Sequence, residues 1–196
     1  MKKTLQILFT LIFISCLENK KELIQTELKI TNEFKIEILN QILSDTIDLK
    51  LMRSKEMYLS NYDGIPPPVL PMDTKRSGYS ITHSEYIAQQ LGVNDVEFIK
   101  KQMADNKRFD LNKLSEYGFN ILDVKGYLDK EIYYSKILEK TENQKYYGFF
   151  TVSIPIFNKS LNKAYIRTMD FGGETLLLKK INDKWLIDKK IDSWID

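Results

Sequence analysis

The sequence predicts an α+β protein in which N-terminal and central helices pack on a C-terminal antiparallel β-meander of about four strands. Three observations predict this class. An apolar stripe of helical period follows residue 31, helix-capping residues recur in the middle of the chain, and strand-like segments separated by tight turns run from residue 147 onwards. The 43% hydrophobic and 29% charged residues are those of a folded globular domain rather than a disordered chain.

The first predicted helix begins after Thr31, whose hydroxyl can cap it. An apolar stripe of period close to four residues follows, made of Phe34, Ile38, Leu39, Ile42 and Leu43. The polar residues between them are expected to face away from the core: Glu33, Lys35, Glu37, Asn40 and Gln41. Such a stripe indicates a core helix more often than a membrane-surface helix.

Two segments link this helix to the middle of the chain. Ile47, Leu49 and Leu51 alternate with polar residues, which predicts a short strand. The proline-rich segment Asp63–Pro71 predicts a stiff, polyproline-like loop. Pro68 and Pro71 form a P-x-x-P pair, although a rigid spacer is the simpler interpretation than a ligand for a binding module.

Short helices are predicted in the middle of the chain. Thr82–Glu85 has the form of a capping box and opens a helix that ends at Gly92 and buries Tyr86, Ile87 and Leu91. Asn94, with Glu97 three residues later, opens a second helix with Val96, Ile99 and Met103 inward. A further short turn over Phe109–Leu114 is closed by Gly118. The segments Phe119–Val124 and Glu131–Leu138 slightly favour strands.

The C-terminal meander is predicted most clearly. Its strands are Tyr147–Ile154, Lys163–Phe171, Glu174–Ile181 and Lys184–Ile195. Gly172-Gly173 is expected to supply the positive φ angles of one tight hairpin, and Asn182-Asp183 forms the next turn. In the last strand we expect Trp185, Ile187 and Ile191 on one face and Asp188, Lys190 and Asp192 on the other.

The N-terminus predicts export from the cytoplasm. Lys2 and Lys3 precede an apolar run, Leu5–Ile14, and charged residues begin at Glu18. A membrane-spanning helix needs about 20 apolar residues, so this run is too short to remain as an anchor and has the plan of a signal peptide.

Cys16 is the single cysteine of the chain and directly follows Ser15. The segment Phe13-Ile14-Ser15-Cys16 resembles the lipobox of bacterial lipoproteins. The resemblance implies cleavage before Cys16, addition of acyl chains such as palmitate, and a firm membrane anchor, because two or more acyl chains hold a protein stably on a membrane. Leu17 replaces the aspartate that retains such proteins in the inner membrane, which implies the outer membrane, facing the periplasm or the cell surface.

This interpretation gives three segments: a signal peptide over 1–15, a lipidated cysteine and short tether over 16–30, and one globular domain over 31–196. Without Lys2 and Lys3 the 29 basic residues fall to 27, equal to the 27 acidic ones. The chain therefore lacks the basic footprint of a nucleic-acid-binding protein. With Cys16 acylated, no thiol remains for a disulfide.

The C-terminal half also resembles a group of uncharacterised bacterial envelope lipoproteins. The matching pieces are Ser153–Phe157, Asn162–Ala164, the glycine pair, Asn182–Trp185 and Trp194-Ile195, with a looser match over Ile99–Leu114. The resemblance implies an envelope location and carries no activity or functional residue.

Few patterns in the sequence point to catalysis. One histidine and one committed cysteine exclude a zinc site of the usual His and Cys ligands. Asp170 and Glu174 could hold a hard cation, but their spacing matches no calcium loop and solvated turn carboxylates are the simpler interpretation. Ser80 near His83 lacks the second glycine of a nucleophile elbow. We therefore expect no metal, no cofactor and no catalytic residue, although enzymatic activity stays open.

The aromatic residues suggest a binding surface. Tyr147, Tyr165 and Trp194 lie on the meander, where exposed rings could anchor a protein partner, although core packing is the commoner role. The leading hypothesis is a lipid-anchored, non-enzymatic module that binds an envelope protein, of inhibitor or immunity type. The alternative is a ligand or hydrolase/isomerase-like pocket, since helices against a curved sheet resemble cystatin-like and NTF2-like folds, with Asp63, His83 and Asp170 as candidates. An envelope structural component is the third possibility.

Overall fold

The computed structural model describes residues 30–54, 57–60, 81–122, 135, 139, 149–170 and 172–195. The elements in chain order are α1 (Asn32–Ser44), β1 (Tyr58–Ser60), α2 (His83–Leu91), α3 (Val96–Asn106), a 3₁₀ helix (Leu111–Tyr117), β2 (Asn120–Leu122), β3 (Phe149–Val152), β4 (Ile156–Phe157), β5 (Lys163–Met169), β6 (Gly172–Ile181) and β7 (Lys184–Ile195). The contacts divide the chain into two compact units, 1–30 and 31–196, and all these elements belong to the second. Within the described ranges, no helix has the length and apolar character needed to cross a bilayer.

The strands form one mixed sheet in the order β2-β1-β3-β5-β6-β7, and β4 also pairs with β5. β1 is parallel to β2 and β3, whereas the pairs along β3, β5, β6 and β7 are antiparallel. The predicted α+β class and the C-terminal meander are therefore confirmed. The strand at 120–122 is confirmed as well, whereas β1 was not predicted from the sequence.

The sheet lies between α1 on one face and the α2–α3 pair on the other. Strand alternation sends Phe157 and Trp185 towards α1, where the Phe157 ring lies 5.2 Å from that of Phe34 and 6.1 Å from that of Trp185. The opposite face is packed by an apolar cluster that joins α2 and α3 to the sheet. It comprises Ile87, Ala88, Leu91, Val93, Ile99, Ile156, Tyr165 and Leu177.

The predicted helix boundaries follow from side-chain caps. Thr31 Oγ1 accepts a hydrogen bond from the Phe34 N–H at 3.1 Å, and Thr82 with Glu85 forms a complete capping box. Gly92 (φ 67°) and Gly118 (φ 85°) end α2 and the 3₁₀ helix in the left-handed region. The cap of α3 is Asp95 and not Asn94, because the Asp95 carboxylate accepts the Phe98 N–H at 3.1 Å.

The predicted exposure of Lys35 is wrong. This side chain is 2% exposed, and its ammonium donates a hydrogen bond of 2.6 Å to Asn106 Oδ1 at the end of α3. Burial lowers the pKa of Lys35, and the Asp105 carboxylate partly offsets that effect. Lys35 was predicted to face solvent, but its hydrogen bond to Asn106 connects α1 to α3.

The predicted strand at Ile47–Leu51 is also wrong. One Asp45 carboxylate oxygen accepts hydrogen bonds from the N–H groups of Ile47, Asp48 and Leu49, at 2.9, 2.7 and 3.3 Å. A short polar side chain that binds the backbone ahead of it favours a turn over an extended strand. Leu49 is buried by this turn and Ile47 is left 79% exposed.

The glycine pair does not supply the positive φ angles that were predicted for the β5–β6 turn. Gly172 and Gly173 lie in β6, where they pair with Ile195 and Trp194, and neither has a positive φ. The β5–β6 connection is closed by a hydrogen bond of 2.8 Å from the Asp170 N–H to the Gly172 carbonyl. The second predicted turn is confirmed, with Asn182 at φ 48° and Asp183 at φ 63°.

Two register shifts between β6 and β7 overturn the predicted faces of β7. One extra β7 residue lies between the partners of Leu177 and Leu178, and another between the partners of Thr175 and Leu176. Trp185 is buried towards α1 and Ile187 is 42% exposed. Ile191 packs instead against the α2–α3 cluster. The three residues therefore do not share one buried face.

Several predictions fall on residues outside the described ranges. They include the signal peptide with Cys16, the segment Asp63–Pro71 and most of Glu131–Leu138. Ser135, which is described, is helical, so the strand preference is wrong at that residue.

Candidate functional site

A row of polar side chains crosses the sheet face that points towards α2 and α3. Arg167, Thr175 and Asp192 are register partners on β5, β6 and β7, so their side chains project on the same side. Thr151 of β3 lies diagonally beside Arg167, because its own partner is Met169. We call these four residues the polar row. Arg167 is 5% exposed and both threonines are fully buried, whereas Asp192 is half-buried.

Three side chains border the polar row. His83 and Tyr86 come from the first turn of α2, which the Thr82 cap starts at this point, and Tyr165 precedes Arg167 by one strand repeat. The His83 and Tyr165 rings meet edge to face, with centroids 6.4 Å apart. The capping box thus fixes the position of the single histidine against the sheet.

Four buried polar atoms in this region have no hydrogen-bond partner among the described residues. They are His83 Nε2, Thr151 Oγ1, Tyr165 Oη and Thr175 Oγ1. The Tyr165 and Thr175 hydroxyls lie close enough for a weak hydrogen bond that lowers the pKa of Tyr165, but the contact lacks the geometry of an ordinary hydrogen bond. Because nearly all buried polar groups in proteins are hydrogen-bonded, such a concentration calls for an explanation.

Burial shifts the pKa values of the ionisable groups here. Burial, assisted by the Arg167 charge, lowers the pKa of His83, so its imidazole is neutral at pH 7. Burial raises the pKa of Tyr165 to about 12, which keeps its hydroxyl protonated. Burial also lowers the pKa of Arg167, and Tyr165 and Asp192 oppose that change. At neutral pH the imidazole and the phenol beside the Arg167 guanidinium are therefore uncharged.

The sequence raised two kinds of catalytic group, a cation site and a serine near His83. No group of three or more potential metal ligands occurs among the described residues. The neighbouring Ser84 hydroxyl contacts Thr82 Oγ1 at 3.1 Å, so it belongs to the helix cap. Ser80 and Asp63 lie outside the described ranges.

A second candidate surface is a groove on the α1 side of the sheet, between the turn after α1 and β7. It consists of two clefts of about 410 and 450 Å³ that share Leu49. Ile47, Lys184 and Trp185 line the first cleft, and Ile187 lines the second. We call this surface the loop–β7 groove. The Trp185 ring is buried, and its Nε1–H has no acceptor among the described residues.

Of the three predicted binding residues, only Tyr165 has a described side chain. Tyr165 is 2% exposed, so it borders the polar row and does not present its ring to a macromolecular partner. Trp194 pairs with Gly173 in β7, and its side chain, like all of Tyr147, lies outside the described ranges.

The two carboxylates weighed as a cation site have cationic partners instead. Asp170 Oδ2 lies 3.0 Å from Arg53 Nε, and Glu174 pairs with Lys190.

Arg167, Thr151 and Thr175 were not predicted from the sequence as site residues. The signal available was the composition of two strands, since Arg167 and Thr175 interrupt otherwise apolar runs that strand alternation directs inward. Comparison of the chain with protein-family models, curated proteins and solved structures gives no match.

Proposed function

We propose that this chain is a lipid-anchored protein of the bacterial outer membrane whose α+β domain binds another envelope protein without catalysis, as an inhibitor or immunity protein does. The proposed membrane location rests on the lipobox-like segment that ends at Cys16. The binding role rests on the loop–β7 groove.

The observation that carries the binding proposal is the apolar character of this groove's exposed rim. Ile47 is 79% exposed and Ile187 42%, and both flank the buried Trp185 and Leu49. These two exposed isoleucine side chains give the concave clefts an apolar rim that a partner can cover.

The shape favours an extended segment of the partner. The groove follows β7, which pairs only with β6 among the described strands. Lys184, Lys189 and Lys190 on β7, together with its two bulges, protect this edge against indiscriminate strand pairing. A partner segment with apolar side chains for the two clefts meets the groove without needing a continuous new strand.

The test places a photo-crosslinking residue at position 187 or, as a control, at position 117 of the full chain in its native envelope. Tyr117 is the matched control, because it is 44% exposed and lies on the 3₁₀ helix away from the groove residues. We expect one protein to crosslink in stoichiometric amount from position 187 and not from position 117. We also expect Ile187→Asp to abolish capture and Tyr117→Asp to retain it. Equal crosslinking from both positions would exclude the groove.

The anchor is tested separately by Cys16→Ser. We expect the wild type in the membrane fraction and the Cys16→Ser variant in the soluble fraction, with partner capture reduced. Identical soluble behaviour of the two proteins would refute the lipid anchor and leave the groove experiment valid.

A small-ligand pocket is the second candidate function, and the polar row is the specific observation that favours it. Four buried polar atoms without described partners are difficult to explain by packing alone.

A further inference from the structure

We propose that the partner segment in the loop–β7 groove presents an acidic side chain, aspartate or glutamate, to Lys50 at the second cleft. The partner is the one inferred above for this groove, so the inference rests on the proposed function and adds the chemistry of the contact. Three features of Lys50 support it: its backbone conformation, the position of its side chain and the charges around it.

Lys50 has a backbone conformation that lysine rarely adopts. Its φ is 47°, in the left-handed region where glycine and asparagine are the usual residues. The Lys50 N–H donates to the Asp45 carbonyl at 3.0 Å and closes the turn after α1, but the N–H of a glycine would make the same bond. The turn therefore does not require a lysine side chain here. Strained backbone of this kind is concentrated at functional sites.

The Lys50 side chain lies where a partner can reach it. Lys50 is exposed and lines the second cleft, of about 450 Å³, together with the exposed Ile187. Leu49 and Phe150, which are buried, form apolar parts of the wall of this cleft. A segment that fills the cleft with an apolar side chain therefore passes beside the Lys50 ammonium.

The charges that line the second cleft leave Lys50 as the excess cation. Arg53 pairs with Asp170, and both line the cleft. Lys190 pairs with Glu174, and both line it as well. The Lys50 ammonium makes no ion pair with any residue that the structure describes. A carboxylate of the partner is the group that complements this remaining positive charge.

The first cleft has the opposite excess of charge. Asp45, Asp48 and Lys184 are its charged lining residues, and none of them lines the second cleft. An acidic side chain of the partner is therefore attracted to the second cleft and repelled from the first. The charges thus set the direction in which the segment lies along the groove.

The test joins Lys50 to its partner with a carbodiimide, which couples an amine to a carboxylate only where the two groups are in contact. The full chain is treated in isolated envelopes, and the coupled peptides are identified by mass spectrometry. We expect a bond between Lys50 and an aspartate or glutamate of the protein that crosslinks from position 187. Lys101 is the matched control, because it is exposed on α3 and lines neither cleft. It should couple to no residue of that protein.

Two variants separate the charge of Lys50 from its backbone strain. Lys50→Gly should raise the urea midpoint, because glycine adopts a positive φ without strain. The same variant should reduce crosslinking from position 187 about threefold, as the loss of an exposed ion pair does. Lys50→Arg keeps the charge and should retain the yield of the wild type.

The outcomes distinguish this contact from the groove itself. Capture from position 187 without coupling of Lys50, or with an unchanged yield in Lys50→Gly, would overturn the acidic contact and leave the groove proposal standing. No capture from position 187 in the otherwise wild-type chain would overturn both.

Discussion

The two faces of the sheet are built from the same strands but differ in chemistry. Towards α1, β5 and β6 present the fully buried apolar residues Ala164, Ile166, Leu176 and Leu178. Towards α2 and α3, the alternate positions mix the apolar Leu177 with Tyr165, Arg167 and Thr175. Because one strand supplies both faces, the difference is not a property of the strand. The centre of the α1 face is therefore apolar, whereas the centre of the opposite face mixes apolar and polar groups.

The largest predicted effect is on the apolar face. Leu178→Ala should lower the free energy of unfolding by about 2–5 kcal/mol, because Leu178 is fully buried and its removal leaves a cavity between the sheet and α1. Urea denaturation followed by circular dichroism measures the change. A decrease in the free energy of unfolding below about 1 kcal/mol would show that the α1 face is loosely packed. The difference between the two faces of the sheet would then be smaller than we describe.

The next largest effect on stability is expected at Gln102, a buried polar side chain with two hydrogen bonds to the backbone. The Gln102 amide donates to the Phe157 carbonyl and accepts from its N–H, both at 2.9 Å, which ties α3 to β4. Gln102→Leu leaves two buried backbone groups without partners and should cost about 2–3 kcal/mol. The same denaturation experiment applies. Gln89→Leu, at an exposed position of α2, is the control and should change stability by less than about 0.5 kcal/mol.

A smaller effect depends on pH and tests the polar side of the sheet. The pKa of His83 is lowered in the folded state by burial and by Arg167. The unfolded chain therefore binds a proton at a higher pH than the folded chain does. This difference removes stability as the pH falls from the ordinary histidine pKa towards the lower folded value.

We expect His83→Gln to lack this part of the acid sensitivity. Unfolding free energies of the wild type and the variant, measured at pH 7.5, 6.5 and 5.5, should diverge as the pH falls, with the wild type losing more. Carboxylate titrations are common to both proteins and cancel in the comparison. Parallel curves would mean that the imidazole titrates alike in the folded and unfolded chains.

The smallest predicted effect is at Thr175. Thr175→Val should leave stability within about 0.5 kcal/mol of the wild type or raise it, since the buried Thr175 hydroxyl makes only a poorly aligned contact with the Tyr165 hydroxyl. Thermal and urea unfolding provide the measurement. A loss near that of Gln102→Leu would show that the hydroxyl is satisfied within the fold, and the contrast between paired and unpaired polar groups would then fail.

The sequence by itself determined the elements whose signals are local. The caps at Thr31 and Thr82, the left-handed Gly92 and Gly118 and the Asn182-Asp183 turn each depend on a few neighbouring residues. The meander followed because its strands are long and separated by tight turns. Predictions from local patterns were wrong in two places. The Asp45 side chain binds the backbone that follows it and forms a turn in place of the predicted strand. Bulges in β7 change the alternation of its side chains between the two faces.

Only the tertiary structure decided which residues meet. The register between strands places Arg167, Thr175 and Asp192 in one line, although they come from three separate strands. Strand alternation predicts that a residue points inward, but it does not say which helix covers it. Tyr165 illustrates the limit, because its aromatic ring suggested an exposed anchor until the packing of α2 against β5 placed it in the core. Local structure depends on neighbours in sequence, whereas a site depends on register and packing, which the whole chain sets together.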